Sequence, residues 1–254
     1  MRSSGAMLAD LVFYGLQYAI YAFELFLVVY LFLRGHARRS ASIVGYLILL
    51  LVTDGVARPA MLNCFGRASV QYAYFYWLTD VVLALAAFLL ICGFFRRACA
   101  REEKLWRSVR FLLVLVSLLV VAISALSLTR NYTQLYTAFI VEFSRNLYFT
   151  CLVLNTLLYV MIQHLAIDDD ELGLLVCGFG IQFAGEAARL ALYHMTLGEN
   201  FARSIFNFLS PACMLGMLMT WSYALARRGD DVELTDTESG LMARALTTPA
   251  PRES

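Results

Sequence analysis

Apolar residues do not alternate or come in short runs along this chain; they fill long stretches broken by short polar segments. A membrane-spanning helix needs about 20 mostly apolar residues. Seven stretches reach that length, at roughly 8–33, 42–62, 73–95, 108–128, 135–163, 171–195 and 203–226. The runs are too long and too uniformly apolar for barrel strands, and a backbone in hydrocarbon must pair its polar groups internally. The pattern therefore predicts an all-α integral membrane protein: a seven-transmembrane-helix bundle over residues 1–228. A polar, Thr-, Pro- and Ser-rich stretch at 229–254 is expected to be a disordered cytoplasmic tail. The first stretch is not read as a signal peptide, since it carries Glu24 and its positive cluster follows it.

Composition agrees with this reading. Hydrophobic residues make up 61% of the 254 positions and charged ones only 15%, too few to coat a soluble core of this size. The lipid bilayer is then the main partner, and the expected location is the cell membrane (the inner membrane in a Gram-negative bacterium). The net charge of +1 and the absence of a long basic run give no reason to expect a nucleic-acid partner. Six scattered cysteines without a C-x-x-C pair, and three distant histidines, suggest no disulfide framework, no metal site and no cofactor.

Loop charges predict the orientation. Arg34, Arg38 and Arg39 follow the first span. Arg96, Arg97, Arg101, Lys104, Arg107 and Arg110 follow the third, and Arg227 and Arg228 end the seventh. The alternate loops hold few, so the positive-inside rule puts the N-terminus outside and the C-terminus in the cytoplasm. The acidic loop Asp168 to Glu171 is an exception, but acids weigh little in this rule. The basic stretch 96–110 is expected mainly to anchor on anionic lipid, and it is also the place for a membrane or cytoplasmic partner.

An internal duplication is suggested by Ala57-Arg58-Pro59 against Ala188-Arg189-Leu190. The 38-residue spacings from Arg58 to Arg96 and from Arg189 to Arg227 agree. That would be a 3+1+3 parallel repeat, an architecture carriers use.

The chemistry lies in the ionisable residues inside the spans. Each costs about 2.5–3.5 kcal/mol at mid-membrane on insertion scales, so such residues face the bundle interior and find partners. Asp54 and Arg58, Glu142 and Arg145, and Glu186 and Arg189 are three or four apart, which puts each acid and its arginine on one helix face. With Asp80, all fall in the outer half of the membrane, leaving Glu24 deeper. Tyr14, Gln17, Tyr21 and Glu24 form one stripe; Tyr72, Tyr76 and Asp80 form another; and Asn207, Ser210 and Pro211 add polarity to the last span. The candidate ligand-binding set is Asp54, Arg58, Asp80, Glu142, Arg145, Glu186, Arg189, Tyr76 and Asn207. Candidate proton-coupling acids are Glu24, Asp80, Glu142 and Glu186. No nucleophile–base pair suggests a catalytic residue.

Three functional classes follow. A carrier for a small polar or anionic solute would use the arginines to hold a carboxylate or phosphate. A seven-helix receptor for an external small molecule would suit a cluster on one side only, and would signal through a partner. Retinal bound as a Schiff base is excluded from it, since the seventh span has no lysine. A lipid enzyme would need acid–base chemistry from the cluster, with neither a metal nor a nucleophile to help. A bundle can transport unaided but cannot signal alone, which favours the carrier.

Overall fold

The computed structural model describes residues 4–33, 40–66, 69–100, 102–128, 135–165, 169–195 and 208–227; side chains are described for most of these, but not for 4–11, Phe13, Tyr14, 124–139, Val141 or 189–195. The described chain is helical throughout. We number the helices α1 (Ser4–Leu33), α2 (Ala41–Phe65), α3 (Val70–Ala98), α4 (Glu103–Leu128), α5 (Leu135–His164), α6 (Asp170–Met195) and α7 (Phe208–Arg227). All except α6 contain a stretch long and apolar enough to cross a membrane, which marks a multi-pass helical membrane protein. Over its described residues, α6 is less apolar because Asp170, Glu171, Gln182 and Glu186 share it with four glycines. The tail at 229–254 lies outside the described residues.

The stretch 96–107, expected as a loop, is shorter than that. Arg96 and Arg97 form the last turn of α3, and Glu103 begins α4. Arg, Glu and Lys are good helix formers, so the helices extend past the apolar window. Helix ends carry local signals. Ser69 caps α3 by accepting from the Tyr72 N–H at 3.1 Å, as N-cap serines do. Gly66, with φ at +76°, closes α2, a conformation that costs glycine little.

α2 is not a continuous α-helix. Its middle, Leu51–Ala57, is π-helical, and the Arg58 N–H reaches back five residues to the Thr53 carbonyl. Pro59 supplies the cause. A proline ring collides with the carbonyl four residues earlier, here Gly55, and donates no N–H. Widening the turn relieves the collision.

α3 and α5 pack against each other most extensively; α5 also packs on α4 and α6, and α1 lies against α2. Buried positions recur on single faces, as amphipathic spacing requires. On α3 these are Leu83, Ala87, Leu90, Ile91 and Phe94; on α5, Leu147, Cys151, Leu154, Leu158 and Ile162. Trp221 of α7 is the centre of an aromatic plug. Its ring lies 4.9 Å from Phe179 and 6.1 Å from Tyr46, and its indole N–H donates to the Leu175 carbonyl at 2.9 Å. Gly178 makes room for it: a Cβ there would stand 2.7 Å from the indole. Small residues that let helices approach are the usual packing device in membranes.

At one end of the bundle Arg97 joins α3 to the start of α6. Its guanidinium forks onto Asp169 with two 2.9 Å bonds and reaches Glu171 at 2.6 Å. Asp169 also caps α6, accepting from the Leu172 N–H at 3.2 Å. Arg227 of α7 pairs with Asp170 at 3.0 Å. The acidic loop that stood out in the charge count therefore faces the two basic helix ends.

Candidate functional site

The main polar cluster is built on Arg58, just past the π turn. Its guanidinium meets Asp54 of the same helix at 2.5 Å and Asp80 of α3 at 3.6 Å. It donates to the Thr79 hydroxyl at 3.1 Å and to the Tyr76 carbonyl at 3.4 Å, and it lies 4.2 Å from the centre of the Tyr76 ring. One cation thus serves two carboxylates on two helices. From α5, Ser144 donates to Asp80, and the Tyr148 hydroxyl approaches the same carboxylate at 3.3 Å. Asp80 is the point where α2, α3 and α5 meet.

The π turn also reorganises the backbone. The Asp54 carbonyl would ordinarily accept from residue 58 in an α-helix or 59 in a π-helix. The Arg58 N–H has gone to Thr53, and Pro59 has no N–H to give. The Tyr21 hydroxyl of α1 takes that place, donating to the Asp54 carbonyl at 2.9 Å, and Gln17 donates to the Tyr21 oxygen at 2.8 Å. The stripe read from the sequence at Gln17, Tyr21 and Glu24 therefore faces α2. The side chain of Tyr14 lies outside the described residues.

Glu24 completes that stripe. Its carboxyl is fully buried, and among the described residues neither oxygen has a hydrogen-bond partner.

Glu142, Arg145 and Glu186 have partners of their own. Glu142 and Arg145 pair with each other at 3.3 Å, half-buried. Glu186 accepts from Ser210 of α7 and borders a recess with Tyr148, Phe149, Phe183 and Ala187. The volume of that recess, about 10 Å³, is room for one water. Asn207 and the Arg189 side chain lie outside the described residues. Ser210 stood out in the sequence beside Asn207 and Pro211, whereas Ser144, Tyr148 and Thr79 did not, because isolated hydroxyls on apolar helices carry no pattern.

Depth follows from helix rise. From Arg97 to Asp80 along α3, and from Arg227 to Ser210 along α7, is about 25 Å at 1.5 Å per residue. The distance from Asp169 to Glu186 along α6 is the same. Asp80, Glu186 and Ser210 therefore share one layer, far from the Arg97 end and separated from it by the aromatic plug. Glu24 lies about 13 Å from the Leu33 end of α1 on the same arithmetic, near the middle of a hydrocarbon core about 30 Å thick.

Comparisons with protein-family models, with curated proteins and with solved structures find no match for the chain.

Proposed function

We propose that the protein is a seven-span carrier for a small polar or anionic solute, with its N-terminus outside the cell membrane and Asp54, Arg58 and Asp80 at its solute site. The observation that carries this reading is the single guanidinium shared by two carboxylates on different helices. A solute carboxylate or phosphate can fork onto Arg58 as either aspartate does. An entering anion displaces one aspartate, and the released carboxylate takes up a proton, so the net charge of the layer is unchanged. The site then binds an anion and a proton together. In this reading Glu142, Arg145, Glu186, Arg189 and Asn207 remain candidate solute-binding residues.

A one-sided layer suits a receptor equally well in shape. The shared cation favours the carrier, because a site whose charges exchange partners has two arrangements close in energy, as alternating access requires.

The test is solute-driven proton current, read from a pH dye enclosed in liposomes that contain the full chain, across a panel of small carboxylates and inorganic phosphate, since an anion and a proton bound together carry no net charge. At least one class should produce current, and Arg58→Gln should reduce it by about tenfold or more, the loss of one charge-assisted contact. Currents no larger than those of protein-free liposomes across the panel would overturn the reading. So would full activity in Arg58→Gln and Arg145→Gln.

A further inference from the structure

We infer that Glu24 is a proton-binding site, the next station inward from the Asp54–Arg58–Asp80 layer. This rests on the carrier reading, and it names the coupling ion of that carrier.

α1 packs against both the Ala41–Leu50 part and the π turn of α2. The titratable or charged groups that α2 turns toward this face are Tyr46, Asp54 and Arg58, and α1 adds Tyr21 itself. Arg58 is already shared by Asp54 and Asp80. Tyr21 spends its proton on the Asp54 carbonyl. Among the described residues no cation therefore pairs with Glu24, and both of its oxygens are buried without a partner. A carboxylate so enclosed has neither water nor counter-ion to stabilise its charge, whereas the carboxylic acid needs no counter-ion. A metal cation would need several oxygen ligands around it. Among the described residues no group of three His, Cys, Asp or Glu comes together, so the ion that fits is a proton.

Position gives the site its use. Glu24 lies one turn along α1 from Tyr21, whose hydroxyl touches the backbone of the π turn. It sits near mid-membrane, while the layer is close to the outer end. A proton taken up by Asp54 as an anion displaces it has Glu24 as its next acceptor inward. In that step the proton leaves the Asp54 carboxyl, which returns to Arg58 as a carboxylate, and the empty Glu24 carboxylate becomes the acid.

The test uses dicyclohexylcarbodiimide, a hydrophobic reagent that adds to protonated carboxyls and needs no solute. The full chain in phosphatidylethanolamine–phosphatidylglycerol vesicles is treated at neutral pH, and adducts are located by peptide mass spectrometry. Glu24 should carry at least about tenfold more adduct than the half-buried Glu142, since ordinary carboxyls are ionised at that pH. The adduct should be unaffected when sodium chloride replaces choline chloride. Modification of Glu24 no greater than that of Glu142 would overturn the inference, and so would protection by sodium at fixed pH, which would mark a sodium site. Glu24→Gln mimics the protonated acid. It should fold and melt as wild type does, and it should still exchange solute across the membrane while losing at least about tenfold of proton-driven uptake. A strongly destabilised Glu24→Gln would show that Glu24 is held as a charge and would also overturn the inference. Labelling of Glu24 without current for any solute would refute the carrier and leave the proton site standing. Current that survives without labelling would do the reverse.

Discussion

Replacing Arg58 with methionine keeps most of the side-chain volume and removes the charge. In the native protein this guanidinium faces Asp54 at 2.5 Å and Asp80 at 3.6 Å, with all three side chains at most about a quarter exposed. Arg58→Met leaves two largely buried carboxylates in one pocket with no cation between them. Breaking a buried pair by removing one partner costs about 3–5 kcal/mol, most of it from the uncompensated charge. The triple variant Asp54→Asn, Arg58→Met, Asp80→Asn removes the charges together. Replacing a buried ion pair whole is often neutral, so it should recover stability to within about 1–2 kcal/mol of wild type, allowing for the lost bonds to Thr79, Ser144 and Tyr148. The assay is unfolding in mixed micelles followed by tryptophan fluorescence, paired with the liposome current. A cost below about 1 kcal/mol for Arg58→Met would refute the reasoning that one buried cation holds two acids. If the triple variant is as stable as expected but carries no current, the charges serve transport. If it is stable and carries normal current, they serve only to join α2, α3 and α5.

Tyr21→Phe should cost about 1–3 kcal/mol by orphaning the Asp54 carbonyl, and less in a Pro59→Ala background, where a restored N–H can reach that carbonyl; a double-mutant cycle of unfolding energies measures the difference. Gly178→Ala should cost about 1–3 kcal/mol by overpacking, because its Cβ would meet Trp221 at 2.7 Å, while Gly173→Ala on the same helix meets nothing within 4 Å and should be neutral or stabilising in the same assay. Arg97→Ala should lose about 1 kcal/mol and with it most of the salt dependence of unfolding, since the Asp169 and Glu171 contacts are partly exposed and screened by ions. If the proposed orientation holds, the exposed Cys64 near the Gly66 end of α2 should react with a membrane-impermeant maleimide on intact cells and Arg107→Cys only after permeabilisation. Cys99 stays silent because burial, with Glu102 nearby, pushes its thiol up from the ordinary range.

What the sequence made legible was what local spacing controls. Helices α1 to α5 fall within a few residues of the apolar windows, because a span in lipid needs continuous backbone pairing and so announces itself by length, while α6 is helical over its window without a described stretch apolar enough to span. Asp54–Arg58 and Glu142–Arg145 are paired as their separations of four and three imply. Contacts between helices were not legible. Ser144 and Tyr148 reach Asp80 across 64 and 68 residues, and nothing in either side chain's neighbourhood in sequence advertises an acid on another helix. The acidic loop looked anomalous for the same reason: its counter-charge Arg97 lies 72 residues away from Asp169. The π turn lay between these cases. Pro59 signals a disturbed helix, but a kink and a widened turn relieve the same collision, and only the placement of Tyr21 beside the freed carbonyl tells which occurs.

That widened turn also ties the two halves of the bundle together. Tyr46, on the Leu50 side of it, packs at 5.4 Å against Phe179 and at 6.1 Å against Trp221 in the plug. Asp54 and Arg58, within it and just beyond, belong to the charged layer. A π turn holds one more residue than the α turn it replaces. Closing it would rotate the Ala41–Leu50 half of α2 against the Arg58–Phe65 half by about 100°, the angle per residue of an α-helix. Tyr46 would then leave the plug, or Arg58 would leave Asp80. The barrier toward the Arg97 end and the partners of Arg58 are therefore mechanically linked through seven residues of one helix. In the proposed carrier, an anion that takes Asp80 away from Arg58 removes the cross-helix contact that holds the Arg58–Phe65 half of α2 in register with α3, and that is the contact such a cycle has to break before the plug can open.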